Sequence, residues 1–396
     1  MIYLDNGATT FPKPDIVLDS MDHYSRSGAV NAGRGAYKAS RESSEMIKKT
    51  RNMLISLVDA KEQAEVVLTP SVTIALNEVI CGFKWTSNSI AYVSPFEHNS
   101  VLRPLQLMQE KYGIRIIELP ITSDLAIDLD ETEKIFNENH PDFVALSAVS
   151  NVTGYILPAQ QIFKMAKKYK AFTLLDGSQA VGLLKMRFSQ LNADVLTFAG
   201  HKTLYGPFGI GGFYIRNGAD KFIDVILAGG TGSQSASLAM PQKAPDKYEC
   251  GSKDTVAICG LHAALNWLKK NDTLKNEEEK TRYLLSKLKE VPNIVIYSAP
   301  DLNCQAGVVS VNIQGFLCGE LAAILDNEYD IAVRAGHHCA ALIHKHLKND
   351  EYKGTVRISL GYFNSFEDID CLVDALKSVN KNMLNNIDRE FLRGLC

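Results

Sequence analysis

A lysine among glycines is the residue whose type and position best suit covalent chemistry. Lys202 follows a short apolar run, Val195 to Phe198, that predicts a buried strand, and glycines occur at positions 200, 206, 209, 211 and 212. Burial lowers the pKa of a lysine amine and makes it nucleophilic, so such a position is unusual for packing alone. A lysine that forms a Schiff base needs these properties. An ordinary surface lysine at the start of a loop is the alternative.

A carboxylate and an amide follow an earlier strand-like run. Asp176 comes directly after Phe172–Leu175, and Gln179 lies three residues further on. Taken alone, Asp176 also suits a turn or a helix N-cap. Beside Lys202 it suits a pyridinium nitrogen, because pyridoxal phosphate accepts electrons only when its ring nitrogen stays protonated. Gln179 then suits the phenolic oxygen of that cofactor, with a solvent-exposed loop amide as the alternative.

Three further polar segments follow predicted strands. They are His98, the segment Ser71-Val72-Thr73 and Asn151, which come after the apolar runs 90–93, 65–68 and 143–148 respectively. The histidine suits stacking on an aromatic cofactor, the helix start suits a phosphate, and the asparagine suits a hydrogen bond to cofactor or substrate. A loop histidine and a helix N-cap are the alternatives. Because parallel sheets bind ligands beyond the carboxyl ends of their strands, these groups together predict one site.

A cysteine beside two histidines forms the second segment with chemical potential. It reads Arg334-Ala335-Gly336-His337-His338-Cys339-Ala340, and His344 and His346 lie beyond it. Side chains of adjacent residues diverge, so we predict no metal site here. A buried, inert cysteine is the other alternative. Arg334 and the histidines instead favour a reactive thiolate at Cys339, because an electropositive surrounding stabilises the anion.

Arg357 is an arginine inside the apolar run Val356–Ser359. A structural ion pair is the usual reason for such a residue. A planar guanidinium also binds a carboxylate through two parallel hydrogen bonds, which a lysine cannot do. Arg357 is therefore a candidate for holding a substrate carboxylate.

Alternating strands and helices are expected to position these groups. Strand-like runs occupy 65–68, 90–93, 114–119, 143–148, 172–175 and 195–198, with helical stretches near 73–82, 99–112, 130–138 and 159–169. This alternation predicts an α/β fold with a mostly parallel sheet covered on both faces. After about residue 255 the pattern predicts a smaller α+β domain with an antiparallel sheet. We expect a large domain of residues 15–255 and a small domain of residues 1–14 and 256–396.

Composition narrows the class of protein. The chain has 396 residues, a net charge of -3 and 22% charged residues, which makes nucleic acid and anionic membranes poor partners. The first residues lack the basic and apolar stretches of a signal peptide, so we expect none, and we expect no membrane span because no apolar run approaches about 18 residues. Eight dispersed cysteines without CxxC pairs predict reduced thiols and a cytoplasmic location. Cys396, the last of them, is either an ordinary chain end or a thiol that relays sulfur.

These motifs resemble the class V aminotransferase family of fold-type I pyridoxal-phosphate enzymes, and within it the cysteine desulfurases. The similarity extends from Tyr3-Leu4-Asp5-Asn6-Gly7-Ala8-Thr9-Thr10 to the region of Arg357. Ala199-Gly200-His201-Lys202 resembles the family's Schiff-base lysine motif. The segment from Arg334 to Ala340 resembles the short active-cysteine loop of the group II desulfurases, a class that also includes selenocysteine lyases.

The resemblance implies a role for each candidate residue. Pyridoxal 5'-phosphate would be held by Lys202, His98, Asp176, Gln179 and Asn151, and its phosphate by Val72, Thr73 and His201. Ser252 would complete the phosphate site from the neighbouring subunit of a homodimer. Arg357, Arg334 and Asn151 would bind L-cysteine. Cys339 would take the sulfur as a persulfide and pass it to a thiol or protein acceptor, releasing L-alanine, as in sulfur mobilisation for iron–sulfur cluster assembly.

Two positions depart from the family pattern. Ala199 stands where the family has Ser or Thr, and Ser252 stands where it has Thr. The segment Asn31-Ala32-Gly33-Arg34-Gly35 resembles one at the entrance of the active site. Selenocysteine lyase, cysteine sulfinate desulfinase, a transaminase or an epimerase of this class, and a non-catalytic sulfur-carrier or assembly scaffold are the alternative functions.

Overall fold

Short runs of apolar residues form the strands, and amphipathic runs form the helices between them. In the computed structural model, the described residues are 1–33, 35–233 and 236–386. The strands are β1 (Ile2–Tyr3), β2 (Ala64–Thr69), β3 (Ile90–Val93), β4 (Arg115–Glu118), β5 (Phe143–Ser147), β6 (Phe172–Asp176), β7 (Val195–Ala199), β8 (Gly211–Arg216), β9 (Ile294–Tyr297), β10 (Val308–Ile313), β11 (Ile331–Ala332), β12 (Arg334–Gly336) and β13 (Thr355–Ser359).

Helices connect most of these strands. They are α1 (Asp15–Ser27), α2 (Lys38–Leu57), α3 (Val72–Gly82), α4 (Asn99–Tyr112), α5 (Leu129–Glu138), α6 (Ala159–Ala166), α7 (Phe188–Leu191), α8 (Thr255–Leu268), α9 (Thr273–Leu288), α10 (Cys318–Tyr329), α11 (Ala341–Leu347) and α12 (Phe366–Ser378). In the described parts of the chain, none of the helices has the length and apolar character needed to cross a bilayer.

The large sheet has the strand order β2-β8-β7-β6-β5-β3-β4, and its strands are parallel except for β8. Alternate residues of a strand point to opposite faces. Leu146 and Leu175 accordingly belong to the core on one face, while Ala145 and Leu174 belong to the core on the other. The predicted mostly parallel sheet, covered on both faces, is confirmed.

Strand β8 was not predicted, because its first residues are glycines and resemble a loop. It runs antiparallel between β2 and β7. Gly211 is needed there, since a Cβ atom at this position would lie 2.7 Å from the backbone nitrogen of Val72. The glycine therefore lets the strand pass directly beneath the start of α3.

A second sheet forms in the C-terminal part of the chain. Its order is β12-β13-β10-β9, and all neighbouring strands are antiparallel, as predicted. The N-terminal β1 pairs in parallel with β11, so the first residues of the chain pack with this region. Helix α8 shares the large core, where its Leu261 joins Leu54 of α2. The domain boundaries at residues 14 and 255 remain a prediction.

Candidate active site

A cavity of about 230 Å³ lies at the carboxyl ends of the parallel strands. It is lined by Gly7, Ala8, Val72, Thr73, His98, Ser100, Ser147, Val149, Asn151, Asp176, Ser178, Gln179, His201, Lys202, Arg334, His338 and Arg357. Most of the residues that the sequence singled out thus line one cavity. Cys339 and Ser252 do not line it.

Lys202 reaches the cavity from the turn that follows β7. The turn is closed by hydrogen bonds from Gly200 N–H to the Ile210 carbonyl (3.0 Å) and from Gly206 N–H to the Gly200 carbonyl (2.8 Å). A Cβ atom at position 200 would lie 2.6 Å from the Ile210 carbonyl oxygen, so this turn requires a glycine. Burial lowers the pKa of Lys202 to about 8, Asp176 opposes this shift, and Arg357 adds to it. A substantial fraction of the amine is therefore neutral and nucleophilic near pH 8.

Asp176 ends β6 with one carboxylate oxygen already occupied. Its Oδ1 accepts hydrogen bonds from Ser178 N–H (3.0 Å), Ser178 Oγ (2.5 Å) and Thr197 Oγ1 (3.0 Å). All three bonds go to Oδ1, so Oδ2 is available to a ligand in the cavity. Gln179 is fixed by a bond from its Nε2 to the Gly7 carbonyl (2.7 Å).

His98 presents a neutral imidazole to the cavity. It caps α4, and its Nδ1 accepts a hydrogen bond from Ser100 N–H (3.1 Å), so the ring proton lies on Nε2. Burial lowers the pKa of His98 to about 4, and the charge of Lys202 contributes to the same shift. An uncharged aromatic ring held by a cap is suited to stacking on a flat ligand.

The start of α3 offers an anion site beside Lys202. Val72 and Thr73 open this helix, and Ser71 caps it by accepting from Ile74 N–H (3.3 Å). The remaining first-turn N–H groups and the helix dipole favour a phosphate. His201 lies next to them, and its buried Nδ1 has no partner among the described residues. Burial lowers the pKa of His201 to about 4, so its ring is neutral.

The cavity fits pyridoxal 5'-phosphate in the chemistry of its donors and acceptors. It combines a lysine amine, a free carboxylate oxygen on Asp176, a neutral histidine ring and a helix N-terminus. Ala199, at the end of β7, is buried and offers no hydroxyl to a ligand.

Arg357 is both a structural ion-pair partner and part of the cavity wall. Its side chain is only 2% exposed, and Nη2 lies 2.5 Å from Asp5 Oδ1. Nη1 donates to the Asn151 carbonyl (3.2 Å), while Nε has no partner among the described residues. The two explanations offered by the sequence are therefore compatible. Arg334 lies directly opposite Arg357 in the β12–β13 pair and is exposed.

The Cys339 loop is held tightly at the rim of the cavity. His338 and Cys339 have positive φ values of 50° and 57°, so the chain turns sharply there. Asn99 N–H donates to the Cys339 carbonyl (2.6 Å), and Asn151 Nδ2 donates to the His338 carbonyl (2.7 Å). Cys339 is exposed, whereas its neighbour His338 lines the cavity.

Two histidines of this region, His338 and His344, are hydrogen-bonded and uncharged. His338 Nε2 donates to the Thr355 carbonyl (3.0 Å), and burial keeps the pKa of His338 well below its usual value. His344 Nδ1 accepts from Asn349 Nδ2 (2.8 Å), its Nε2 donates to the His337 carbonyl (3.2 Å), and burial lowers its pKa to about 4. The expectation that these two histidines make the surroundings of Cys339 electropositive was therefore wrong. Arg334 supplies the permanent positive charge.

Other predicted residues lie away from the cavity. Ser252 lines a separate space of about 880 Å³, together with segments 31–33 and 230–233. His346 pairs with Glu118 (Nε2 to Oε1, 2.6 Å). Within residues 1–33, 35–233 and 236–386, no cluster of three or more potential ligands is arranged to hold a metal ion. Arg34 and Cys396 lie outside the described residues.

Sequence reasoning missed two acidic residues at the site. Asp5 contacts Arg357, as described above. Glu97 is fully buried and accepts hydrogen bonds from Ser94 Oγ (2.5 Å), Ser147 N–H (2.7 Å) and Ser147 Oγ (2.9 Å). Burial raises the pKa of Glu97 to about 8. Its position next to His98 was the available signal, and Asp5 lies in the N-terminal segment that resembles the family, although that resemblance gave it no role.

Comparison with known proteins agrees with this geometry. Residues 2–372 match the family model described as aminotransferase class-V. A probable cysteine desulfurase from Pyrococcus abyssi is 30% identical over 393 residues, covering 97% of this chain and 95% of the relative. A cysteine desulfurase from Escherichia coli is 29% identical over 392 residues, covering 96% and 94%.

Solved structures give the same result. The apo structure of a cysteine desulfurase from Thermococcus onnurineus has a TM-score of 0.88 and 29% identity, covering 97% of this chain and 95% of that one. The Escherichia coli cysteine desulfurase CsdA has a TM-score of 0.84 and 25% identity, covering 98% and 95%. The chain therefore belongs to the class-V aminotransferase family, and these relatives within the family are named cysteine desulfurases.

Proposed function

We propose that this chain is a cysteine desulfurase that uses pyridoxal 5'-phosphate, converts L-cysteine to L-alanine and receives the sulfur on Cys339. The observation that carries the proposal is one cavity that joins Lys202, Asp176 and Arg357, with the Cys339 loop fixed at its rim. The names of the relatives support the same reaction. Cys339 also favours this function over transamination or epimerisation, because neither of those reactions needs a thiol.

The residues that would hold the cofactor are those of the cavity wall. Lys202 would bind it covalently, Asp176 Oδ2 would accept from its ring nitrogen, and Gln179 would contact its phenolic oxygen. His98 would stack on the ring, and Val72, Thr73 and His201 would take the phosphate. When bound, this cofactor supplies an electron sink that makes the α-proton of an amino acid removable.

Arg357 binds the substrate carboxylate, and Lys202 accepts the α-proton of the substrate. The guanidinium of Arg357 takes the carboxylate and so aims the α-carbon, with Asn151 and Arg334 beside it. The Lys202 amine, with a pKa of about 8, is suited to accept the α-proton near neutral pH. The low polarity around the buried amine makes its neutral fraction larger than that of an ordinary lysine.

Cys339 completes the sulfur transfer. Its thiolate attacks the substrate sulfur, an S–S bond forms, the C–S bond of cysteine breaks, and the bond's electron pair stays with the carbon skeleton. That skeleton takes up one proton at its β-carbon, regains the α-proton from Lys202 and leaves as L-alanine, and the sulfur remains on Cys339 as a persulfide. An acceptor thiol, small or protein-borne, then attacks the outer sulfur. The exposure of Cys339 suits this second step.

We also propose that the enzyme is a cytoplasmic homodimer. Ser252 lies in a separate cavity, so it would contribute to a phosphate site only from a second subunit. Its hydroxyl would make the phosphate contact that the family's Thr makes at this position, whereas Ala199 has no hydroxyl to contribute. Changing Ser252 to Ala should weaken cofactor retention during dialysis, and unchanged retention would contradict this role.

The test is an absorption spectrum of the purified protein, followed by titration with L-cysteine. We expect a visible cofactor band that changes on titration, with L-alanine formed in the presence of a thiol reductant. Lys202→Ala should lose that band, while Lys164→Ala, which alters an exposed lysine of α6, should keep it. A colourless wild type that binds no cofactor would refute the proposal. Repeating the assay with L-selenocysteine measures the preference between sulfur and selenium.

A further inference from the structure

The N-terminal segment is tied to the strand that carries Arg357. Leu4 N–H donates to the Ala332 carbonyl (2.8 Å), and Ser359 N–H donates to the Leu4 carbonyl (2.7 Å), so the segment is held on two sides. The hydroxyl of Tyr3 donates to the carbonyls of Asp5 (3.1 Å) and Thr9 (3.0 Å). These bonds fix the backbone of Asp5 beside β13.

The carboxylate of Asp5 meets the guanidinium of Arg357 at the edge of the cavity. The Nη2–Oδ1 distance is 2.5 Å, and the Asp5 side chain is 20% exposed. The other bond made by the guanidinium goes to the Asn151 carbonyl, a neutral acceptor. Asp5 thus supplies the negative charge that fixes the guanidinium plane, because charge-assisted bonds are the stronger of the two.

The segment also passes close to the guanidinium at Gly7. A Cβ atom at Gly7 would lie 3.3 Å from Cζ of Arg357, so a glycine here lets the backbone approach the guanidinium without a side chain between them. Gly7 and Arg357 both line the cavity. The same stretch therefore binds the guanidinium through Asp5 and places no side chain against it at Gly7, and Arg357 Nε has no partner among the described residues.

We propose that Asp5 is a positioning residue for the substrate carboxylate, acting through Arg357. This inference rests on the proposed function and adds a residue to it. Asp5 holds the guanidinium in one orientation, so the remaining N–H groups already point at the place that the carboxylate of L-cysteine takes. Without Asp5, the guanidinium turns toward other acceptors and must be reoriented by the substrate, which weakens binding.

The test compares Asp5→Ala and Asp5→Asn in the cofactor-loaded enzyme, with Asp15→Ala as the control. Asp15 is an exposed acidic residue at the start of α1. Titration of the visible cofactor band gives the dissociation constants for L-alanine, the product, and for cysteamine, which lacks the carboxylate. Asp5→Ala should weaken L-alanine binding about tenfold, as expected for one lost charge-assisted bond, and should leave cysteamine binding within about twofold.

Asp5→Asn keeps an oxygen that accepts from Nη2, so it should weaken L-alanine binding less than Asp5→Ala. Asp5→Asn also provides the test if Asp5→Ala does not fold. Unchanged or tighter L-alanine binding in both folded variants would overturn the inference, as would an equal loss for cysteamine. A wild type that binds cofactor but forms no L-alanine from cysteine would instead overturn the proposed function and this inference with it.

Discussion

The reactivity of Lys202 in the cofactor-free protein tests the electrostatics of the site. Its pKa of about 8, against 10.5 for an ordinary lysine, leaves about a tenth of the amine neutral at pH 7. An ordinary lysine is neutral to only about one part in three thousand at that pH. Only the neutral amine reacts with acylating reagents. At pH 7 Lys202 should therefore be acylated about 300-fold faster than it would be with the pKa of an ordinary lysine, because its neutral fraction is larger by that factor.

Two substitutions should move this pKa in opposite directions. Asp176 raises the pKa of Lys202 and Arg357 lowers it. Asp176→Asn should therefore shift the labelling midpoint below that of the wild type, and Arg357→Gln should shift it above. The sign follows from charge alone, since a carboxylate stabilises the ammonium and a guanidinium destabilises it.

The assay is pulsed acetylation of the cofactor-free protein from about pH 6 to pH 11, a range that spans both pKa values. Mass spectrometry of the peptide that contains Lys202 gives the rate, and exposed Lys164 serves as the internal reference. We expect a midpoint near pH 8 for Lys202. A Lys202 midpoint near 10.5, the ordinary lysine value, or shifts in the reverse order for the two variants, would refute the reasoning.

Three other predictions concern the loop, a buried acid and the core. His344→Leu removes the N–H that is bonded to the His337 carbonyl in the Cys339 loop. In an assay of L-alanine release we expect kcat to fall about tenfold and KM to stay nearly unchanged, and an unaltered kcat would contradict this. The pKa of Glu97 is about 8 folded against 4.5 unfolded, so wild-type stability falls as pH rises through that window. In denaturant titrations, the free energy of unfolding of Glu97→Gln should rise relative to that of the wild type by up to about 1.4 kcal/mol per pH unit as the pH increases through this window. A difference between the two proteins that does not change with pH would disprove this prediction. Phe143→Ala should lower the free energy of unfolding in denaturant titrations by about 3–5 kcal/mol. The Phe143 ring is fully buried and packs against Phe83 and Trp85, with ring centroids 5.0 Å apart, so a much smaller loss would count against that packing.

The site was predictable where local pattern and strand direction suffice. Asp176, His98 and Asn151 each follow an apolar run, and parallel strands bring such positions to one edge. Lys202 was marked by its glycines, and Gly200 proves to be required by the turn that carries the lysine. These features depend on neighbours in sequence or on a repeated strand–helix alternation.

Long-range pairing was not predictable from the sequence. Asp5 and Arg357 are 352 residues apart, and no local pattern links them. His344 and His346 fit a ligand-rich pattern in the sequence, yet packing directs one to Asn349 and the other to Glu118. Burial, which only the folded chain reveals, keeps His344 uncharged.

The central claim is that Cys339 receives sulfur from L-cysteine. The most direct measurement is the mass of the cofactor-loaded protein after one turnover without reductant, with peptide mapping, beside Cys339→Ser and a control in which the exposed Cys371 is changed to Ser. We predict that the peptide containing Cys339 gains one sulfur atom in both the wild type and Cys371→Ser, and that one L-alanine is released. Sulfur on another cysteine, or full catalytic release of sulfide by Cys339→Ser, would contradict the account.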